Sequence, residues 1–474
     1  MNAESDLIKH QNPEETSIRY MLKLAGPMIA TTVSFTIMQF VDRFMVSRLG
    51  TEALAAILPA GFISFVPASF ALAAFTSVNT FVSQSYGRGE THRCPKYFWQ
   101  AIYMGFAYTL VVLAIMWPTA PGIFSLLGHP QKVVELETIY LRIMLYTQFL
   151  TVLVWTCNQF FMGIHRPVII MYAAFISQSV NVIANYILIF GKFGFPAMGI
   201  AGAGWGTFTG MSVGVVVRLT MFFRPSINRI YQTRNLPTFD ISMMRDLLKV
   251  GFPAGIGFMI NMAGWAIILF GLVGRFGQEP LAATSAVFAC MNVSFMPIVG
   301  LGRALTAAVG KSIGKGRKDI AIKQTASCLR VALIYMGFIG LCFFLFRNQL
   351  MQLWSSDDKV IEIGMNIFIF AAILQIFDAV FITYNDALRG AGDTLWLALA
   401  EAVAASIIMG LGGLCMLIFF PQFGALGAWF VATLKITVVA FANRWRFKSN
   451  HWMKIDLFKH RPVPAPVEME TPID

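Results

Sequence analysis

Charge is what this sequence has least of: Asp, Glu, Lys and Arg together make up 13% of its 474 residues, about half the share of an ordinary soluble protein. So few polar groups cannot coat the two or three soluble domains such a length would hold, which excludes a cytosolic enzyme and a disordered chain. Cysteine is scarce as well. The six, Cys94, Cys157, Cys290, Cys328, Cys342 and Cys415, form no CxxC pair and read as small buried hydrophobes, neither a disulfide frame nor a metal site. The six histidines, His10, His92, His129, His165, His451 and His460, are scattered and lack HExxH spacing. Gly310-Lys311-Ser312 ends like a phosphate-binding loop, but Leu305 stands where that loop needs glycine. The start, Met1 to Arg19, is polar and has no apolar core of a cleaved signal peptide.

What is present is apolar: 57% hydrophobic residues, with 43 Phe, 26 Met and 10 Trp. Twelve stretches are long enough to cross a bilayer, at 20–46, 54–82, 98–119, 137–162, 168–190, 199–223, 247–273, 281–309, 326–346, 360–388, 395–420 and 424–446. Pro27, Pro59, Pro67, Pro253 and Pro297 fall inside them, which membrane helices tolerate when neighbours satisfy the freed backbone. An all-α polytopic membrane protein follows. Tails and loops on the side of the termini carry 24 Lys and Arg, the opposite loops 6, so the positive-inside rule puts both termini in the cytoplasm. That bias accounts for the net charge of +12 without invoking nucleic acid.

The chain also repeats itself. Gly50, Glu52, Leu54, Ala55 and Ala56 recur 227 residues later as Gly277, Glu279, Leu281, Ala282 and Ala283. VSQSYGRG from Val82 recurs as VGKSIGKG from Val309, and Asn158 and Gly163 recur as Asn385 and Gly390. Phe195, Pro196 and Gly199 recur at 225 as Phe420, Pro421 and Gly424. The repeat divides the chain into a cytoplasmic tail (1–19), an N-lobe of six helices (20–224), a cytoplasmic linker (225–246), a C-lobe of six helices (247–448) and a second tail (449–474). Because six is even, the copies are parallel repeats about an axis along the membrane normal, and two such bundles around a central cleft suit a carrier. The final RPVPAPVEMETP is expected to be disordered.

Carboxylates at membrane depth are costly and by default functional. Asp42 lies in the first span and Asp378 in the tenth; neither recurs in the other copy. Each suits a Na+ or proton site, set against a structural ion pair, for which Asp42 has Arg43 beside it. No other metal site is expected. Glu401 in span eleven is ambiguous, since it could snorkel or face a polar seam. Asp378 and Asn385 are seven apart and share a helix face; Asn181 and Asn185 are four apart and share another, with Asn158 on the preceding span. Amide oxygens beside a carboxylate can build a Na+ shell, or simply join helices, and a desolvated carboxylate can carry a proton instead. The aromatic and Met surfaces suit burial of flat cationic molecules.

On these features the chain resembles the multidrug and toxic compound extrusion (MATE) family over about residues 20–446. The resemblance rests on Pro27 fifteen residues before Val41-Asp42, on VSQSYGRG, on NVIANYILIFGKFG from Asn181, on LLKVGFP from Leu247, on QIFDAVFITYNDALRGAGDT from Gln375 and on FGALGAW from Phe423. It implies a bacterial inner-membrane antiporter, not an enzyme and without a cofactor, that expels cationic or amphipathic drugs or metabolites as Na+ or H+ runs inward, and that works as a monomer. It implies a bending role for Pro27, cation coupling at Asp42 with Asn158, Asn181 and Asn185, and at Asp378 in the manner of the norfloxacin-exporter-like branch. That branch has a Glu in span seven where this chain has Asn261. The rivals are a lipid-linked saccharide flippase of the same superfamily, for which Arg142 and Arg303 would supply cations, and an exporter of one specific metabolite.

Overall fold

The computed structural model describes residues 13–126, 131–266 and 272–458. The polar residues 1–12 and the tail from 459 onward, with its proline-rich stretch, lie outside the described residues. Among the described residues, twelve helices are long and apolar enough to cross a membrane: α1 (Ile18–Ser47), α2 (Pro59–Gly87), α3 (Thr91–Ser125), α4 (Gln131–Gly163), α5 (Pro167–Phe190), α6 (Ile200–Phe222), α7 (Ile241–Trp265), α8 (Gln278–Gly314), α9 (Lys318–Leu345), α10 (Asp358–Ala391), α11 (Thr394–Phe419) and α12 (Pro421–Lys448). No strand occurs among the described residues. The all-α polytopic fold expected from the sequence is therefore the one observed.

Two local expectations need correction. VSQSYGRG, which the sequence places after span two, is itself the end of α2: helix continues over Ser77–Gly87, past a break at Phe75 and Thr76. Its apolar and small polar side chains are nearly all buried, so the motif packs where a loop was expected. Cysteine burial is the second. Cys94, Cys157 and Cys328 are buried, but Cys415 is exposed on α11, as apolar side chains facing lipid are.

The duplication is written into the backbone. Gly50 and Gly277 have φ of 110° and 114°, Gly89 and Gly316 77° and 74°, and Gly199 and Gly424 55° and 52°. Positive φ costs side-chain-bearing residues but not glycine, so each copy retains glycine where its helices start and stop. One packing contact is duplicated too. A Cβ on Gly163 would lie 2.6 Å from Val82, and one on Gly390 would lie 3.2 Å from Val309.

The described residues form two compact units. The N unit lies within Ala30–Ile260 and the C unit within Met1–Ile29 together with Asn261–Arg461. The N unit is built on a core that includes Val46, Phe124, Leu141, Leu145 and Ile189; the C unit on one that includes Met351, Ile367, Phe368 and Trp429. The division passes through α1 just beyond Pro27 and through α7 beyond Pro253. Each unit also holds the strap that leads into one of these helices. In the C unit Lys311 and Lys315 each reach Glu15 at 3.2 Å, and Ser327 donates to the Thr16 carbonyl at 2.7 Å. In the N unit Gln100, which stands 227 positions before Ser327, donates to the Thr238 carbonyl at 3.0 Å.

Candidate functional site

The polar site of the N unit starts from glycines. Gly202, Gly206, Gly210 and Gly214 recur every fourth residue on α6 and form a groove. A Cβ on Gly206 would overlap the Asn185 side-chain oxygen, one on Gly210 would come within 2.6 Å of Asn181, and one on Gly214 within 2.7 Å of Ser177. With no side chains in the way, α5 lies directly on α6 and its polar face is pinned. Asn185, fully buried, donates through Nδ2 to Asp42 Oδ1 at 2.7 Å and to Asn181 Oδ1 at 3.3 Å. Asn181 in turn donates to Thr207 Oγ1 at 3.4 Å. Ser34 of α1 donates to Gln178 of α5 on the same seam.

Asp42 is half-buried and Arg43 exposed, and among the described residues the Asp42 carboxylate is bonded by Asn185 and not by Arg43. That carboxylate is thus met by a neutral amide. Asn185 Oδ1 is buried without a hydrogen-bond partner, which in a close-packed interior normally marks a missing polar neighbour. Carboxylate and amide oxygens are the hard ligands that alkali cations take, and the carboxylate can take a proton as readily. The residues present therefore fit either ion.

Asn158 sits elsewhere. Its Oδ1 accepts from Arg218 Nε at 2.8 Å, and Arg218 Nη1 donates to the Gly214 carbonyl at 2.9 Å. Arg218 is 3% exposed and was not singled out by the sequence, although a guanidinium four residues from the end of an apolar span was a visible signal. Asn385 Oδ1 likewise accepts from a guanidinium, that of Arg389 at 3.2 Å. The neighbouring Asp386 accepts from Thr306 at 3.2 Å, with Arg303 and Arg389 within electrostatic reach.

The C unit gathers its own cluster. Glu401 is buried, resolving its ambiguity, and its Oε1 accepts from Asn261 Nδ2 at 2.5 Å and from Lys435 Nζ. Asn261, at the span-seven position, is thus a donor to an acid of α11. Asp378 is 4% exposed, makes no hydrogen bond among the described residues, and feels the charge of Lys435. One turn before it, Gln375 is fully buried with both amide atoms unpartnered. Four residues after Glu401 the backbone of α11 widens into a π-helix, Ala405–Gly412, a form often found beside functional groups. Lys435 is a lone cation inside an apolar span in the sequence, and nothing in its spacing points to Glu401, 34 positions away.

A cavity of about 390 Å³ in the N unit is lined by Ile63, Val66, Phe70, Tyr108, Met116 and Met259, among others. It has the aromatic and Met surface expected for flat amphipathic molecules but no carboxylate of its own.

Comparison with known proteins agrees with the duplication. The MatE family model matches twice, over residues 27–187 and 253–414. A probable multidrug resistance protein NorM of Neisseria meningitidis serogroup B is 26% identical over 441 residues, 90% of this chain and 93% of its own. Another, from Oceanobacillus iheyensis, is 27% identical over 393 residues, 81% of this chain and 86% of its own. Among solved structures, an outward-facing multidrug resistance MATE transporter of the MOP superfamily superposes with a TM-score of 0.83 at 17% identity, over 92% of this chain and 96% of that one. The eukaryotic MATE transporter AtDTX14 gives 0.80 at 20% identity, over 92% and 96%. Twelve membrane helices in two matched copies, each carrying the family signature, identify this multi-pass membrane protein as a member of the MATE transporter family.

Proposed function

We propose that this protein is a secondary active antiporter that exports cationic or amphipathic drugs by alternating access, in exchange for Na+ or H+ moving inward across a bacterial inner membrane. In this reading both termini are cytoplasmic and a monomer is the working unit. The observation that carries it is the Asp42–Asn185 contact: a membrane-depth carboxylate whose hydrogen-bond partner is a neutral amide, with an unpartnered amide oxygen beside it. Such a carboxylate is free to exchange a cation. The names printed for the NorM relatives support drugs as cargo.

Ion uptake at Asp42 competes with the Asn185 hydrogen bond, so loading the site changes how α1 is held against α5. Pro27 supplies the point of bending, because proline lacks the N–H that would complete the helix ladder there. Asp378 provides a second carboxylate in the C unit. One elementary charge moving through 100 mV releases about 2.3 kcal/mol, enough for a drug gradient of roughly fiftyfold. A single coupling ion is sufficient.

The flippase reading requires free cations for pyrophosphate. Arg303 has Asp386 within reach and Arg142 lies over the Trp117 ring at 5.3 Å, so neither favours it. The test is dye efflux from vesicles under an imposed Na+ gradient and then an H+ gradient. Efflux should collapse in Asp42→Asn and Asp378→Asn proteins that still fold. Normal export by both would end this assignment, and export driven by H+ alone would settle the ion.

A further inference from the structure

The N and C units treat the same problem differently. Gly210 of α6 lets Asn181 approach, and 225 positions later, at the offset that relates Phe195 to Phe420, stands Lys435 of α12. Lys435 is fully buried and its ammonium donates to Glu401, which also holds Asn261, while Asp378 lies within reach of the same charge. From this geometry we infer that Lys435 is a resident cation which occupies the ion position of the C unit and makes that unit refuse Na+. The inference deepens the antiport reading above and rests on it for its functional meaning.

Two buried carboxylates with an amide oxygen nearby are the ligand set of an alkali-cation site. Adding a fixed ammonium changes the sum. Glu401 and Asp378 alone carry two negative charges; with Lys435 the cluster carries one. Nor is the ammonium free to leave, since Glu401 binds it directly and its side chain has no contact with solvent. A Na+ placed about 4 Å from that ammonium would bind on the order of a thousandfold more weakly at the effective dielectric of protein sites. The other charges on the packed helices lie farther off: Asp386 and Arg389 stand two and three turns along α10 and Glu362 four turns before Asp378, while Arg303 of α8 acts on Asp386. Arg330 of α9 is exposed, and on α12 Arg444 and Arg446 stand more than two turns beyond Lys435, Arg446 paired with Asp393. A proton, which needs only one oxygen, remains acceptable at Asp378. The C unit thereby becomes selective for H+ over Na+, with Lys435 as the specificity-determining residue.

The full-length protein in lipid nanodiscs tests this by calorimetric titration with NaCl against choline chloride at constant ionic strength. Asp42→Asn first removes the N-unit carboxylate. The Asp42→Asn protein should then bind no Na+, and adding Lys435→Met should restore binding of one Na+ that Asp378→Asn abolishes. Na+ binding by Asp42→Asn alone that disappears with Asp378→Asn overturns the inference, and that comparison leaves Lys435 untouched. So does the absence of binding in an Asp42→Asn, Lys435→Met protein that melts cooperatively. Because binding is read without transport, variants that titrate as expected beside a wild-type protein that exports no dye under either gradient would sink the antiport reading and leave this one standing.

Discussion

Asn158 and Asn385 occupy the same place in the two copies of the repeat, and each gives its side-chain oxygen to a guanidinium: Asn158 to Arg218 of a neighbouring helix at 2.8 Å, Asn385 to Arg389 one turn along its own at 3.2 Å. The amide has been kept while the cation it holds has changed. We propose that these two residues support helix packing and that the coupling ion is handled by Asp42, Asn181 and Asn185 in one unit and Asp378 in the other.

Asn158→Ala leaves Arg218 buried with one fewer acceptor, a loss of about 1–3 kcal/mol. The expected outcome is a lower melting temperature with dye efflux per folded molecule retained. Asn185→Ala should do the reverse, keeping most of the stability and losing efflux. Equal loss of efflux in both variants would return Asn158 to the coupling site.

Gly206→Ala drives a methyl group into the Asn185 oxygen. Because the helix seam is already at contact, the cost is about 1–3 kcal/mol and the Asn185–Asp42 bond is displaced with it. Gly61→Ala, where nothing lies within 4 Å, is the matched control and should melt at or above the wild-type temperature. Thermal melting and vesicle efflux, measured side by side, check both.

Removing one member of the buried Glu401–Lys435 pair leaves the other uncompensated. Glu401→Gln should destabilise the protein by about 3–5 kcal/mol, whereas Glu401→Gln with Lys435→Met should recover most of that loss. A double-mutant cycle on melting curves reads the coupling directly, and additive losses would contradict it.

Glu15 tests the amino-terminal strap. Burial raises its pKa, but attraction from Lys311 and Lys315 outweighs this and leaves it below the ordinary 4.5. A carboxylate depressed in the folded state stabilises fully above its unfolded value and loses that contribution as pH falls through the folded one. The strap should therefore stay docked at pH 5 and above and loosen only below about pH 4.5. In Lys311→Gln, Lys315→Gln protein burial acts unopposed and raises the Glu15 pKa, so the sign reverses: the strap stays docked in acid and loosens as pH rises. Hydrogen exchange at Thr16 to Tyr20 across this range would follow it.

Much of this was legible in the sequence for physical reasons. Lipid requires long apolar runs, so twelve spans stand out; duplication leaves matched residues such as Val82 and Val309; and Asn181 and Asn185, one turn apart, had to share a face. The glycine ladder of α6 was equally readable from its four-residue spacing. Lys435 and Glu401 were not legible as a pair, because 34 positions separate them and only the packing of α11 on α12 brings them together. Arg43 illustrates the opposite failure: adjacency to Asp42 suggested an ion pair, yet successive residues on a helix diverge by about 100° and the two side chains part.

The glycine ladder limits what its seam can hold. A seam closed by Gly206, Gly210 and Gly214 has no room for a long side chain, so a lysine there would pry the two helices apart. In the second copy those rungs are Val431, Lys435 and Val439, and a long side chain is accommodated there. One half of the duplicated fold is thus sealed against charge by its own tightness, while the other houses an ammonium at the matching rung.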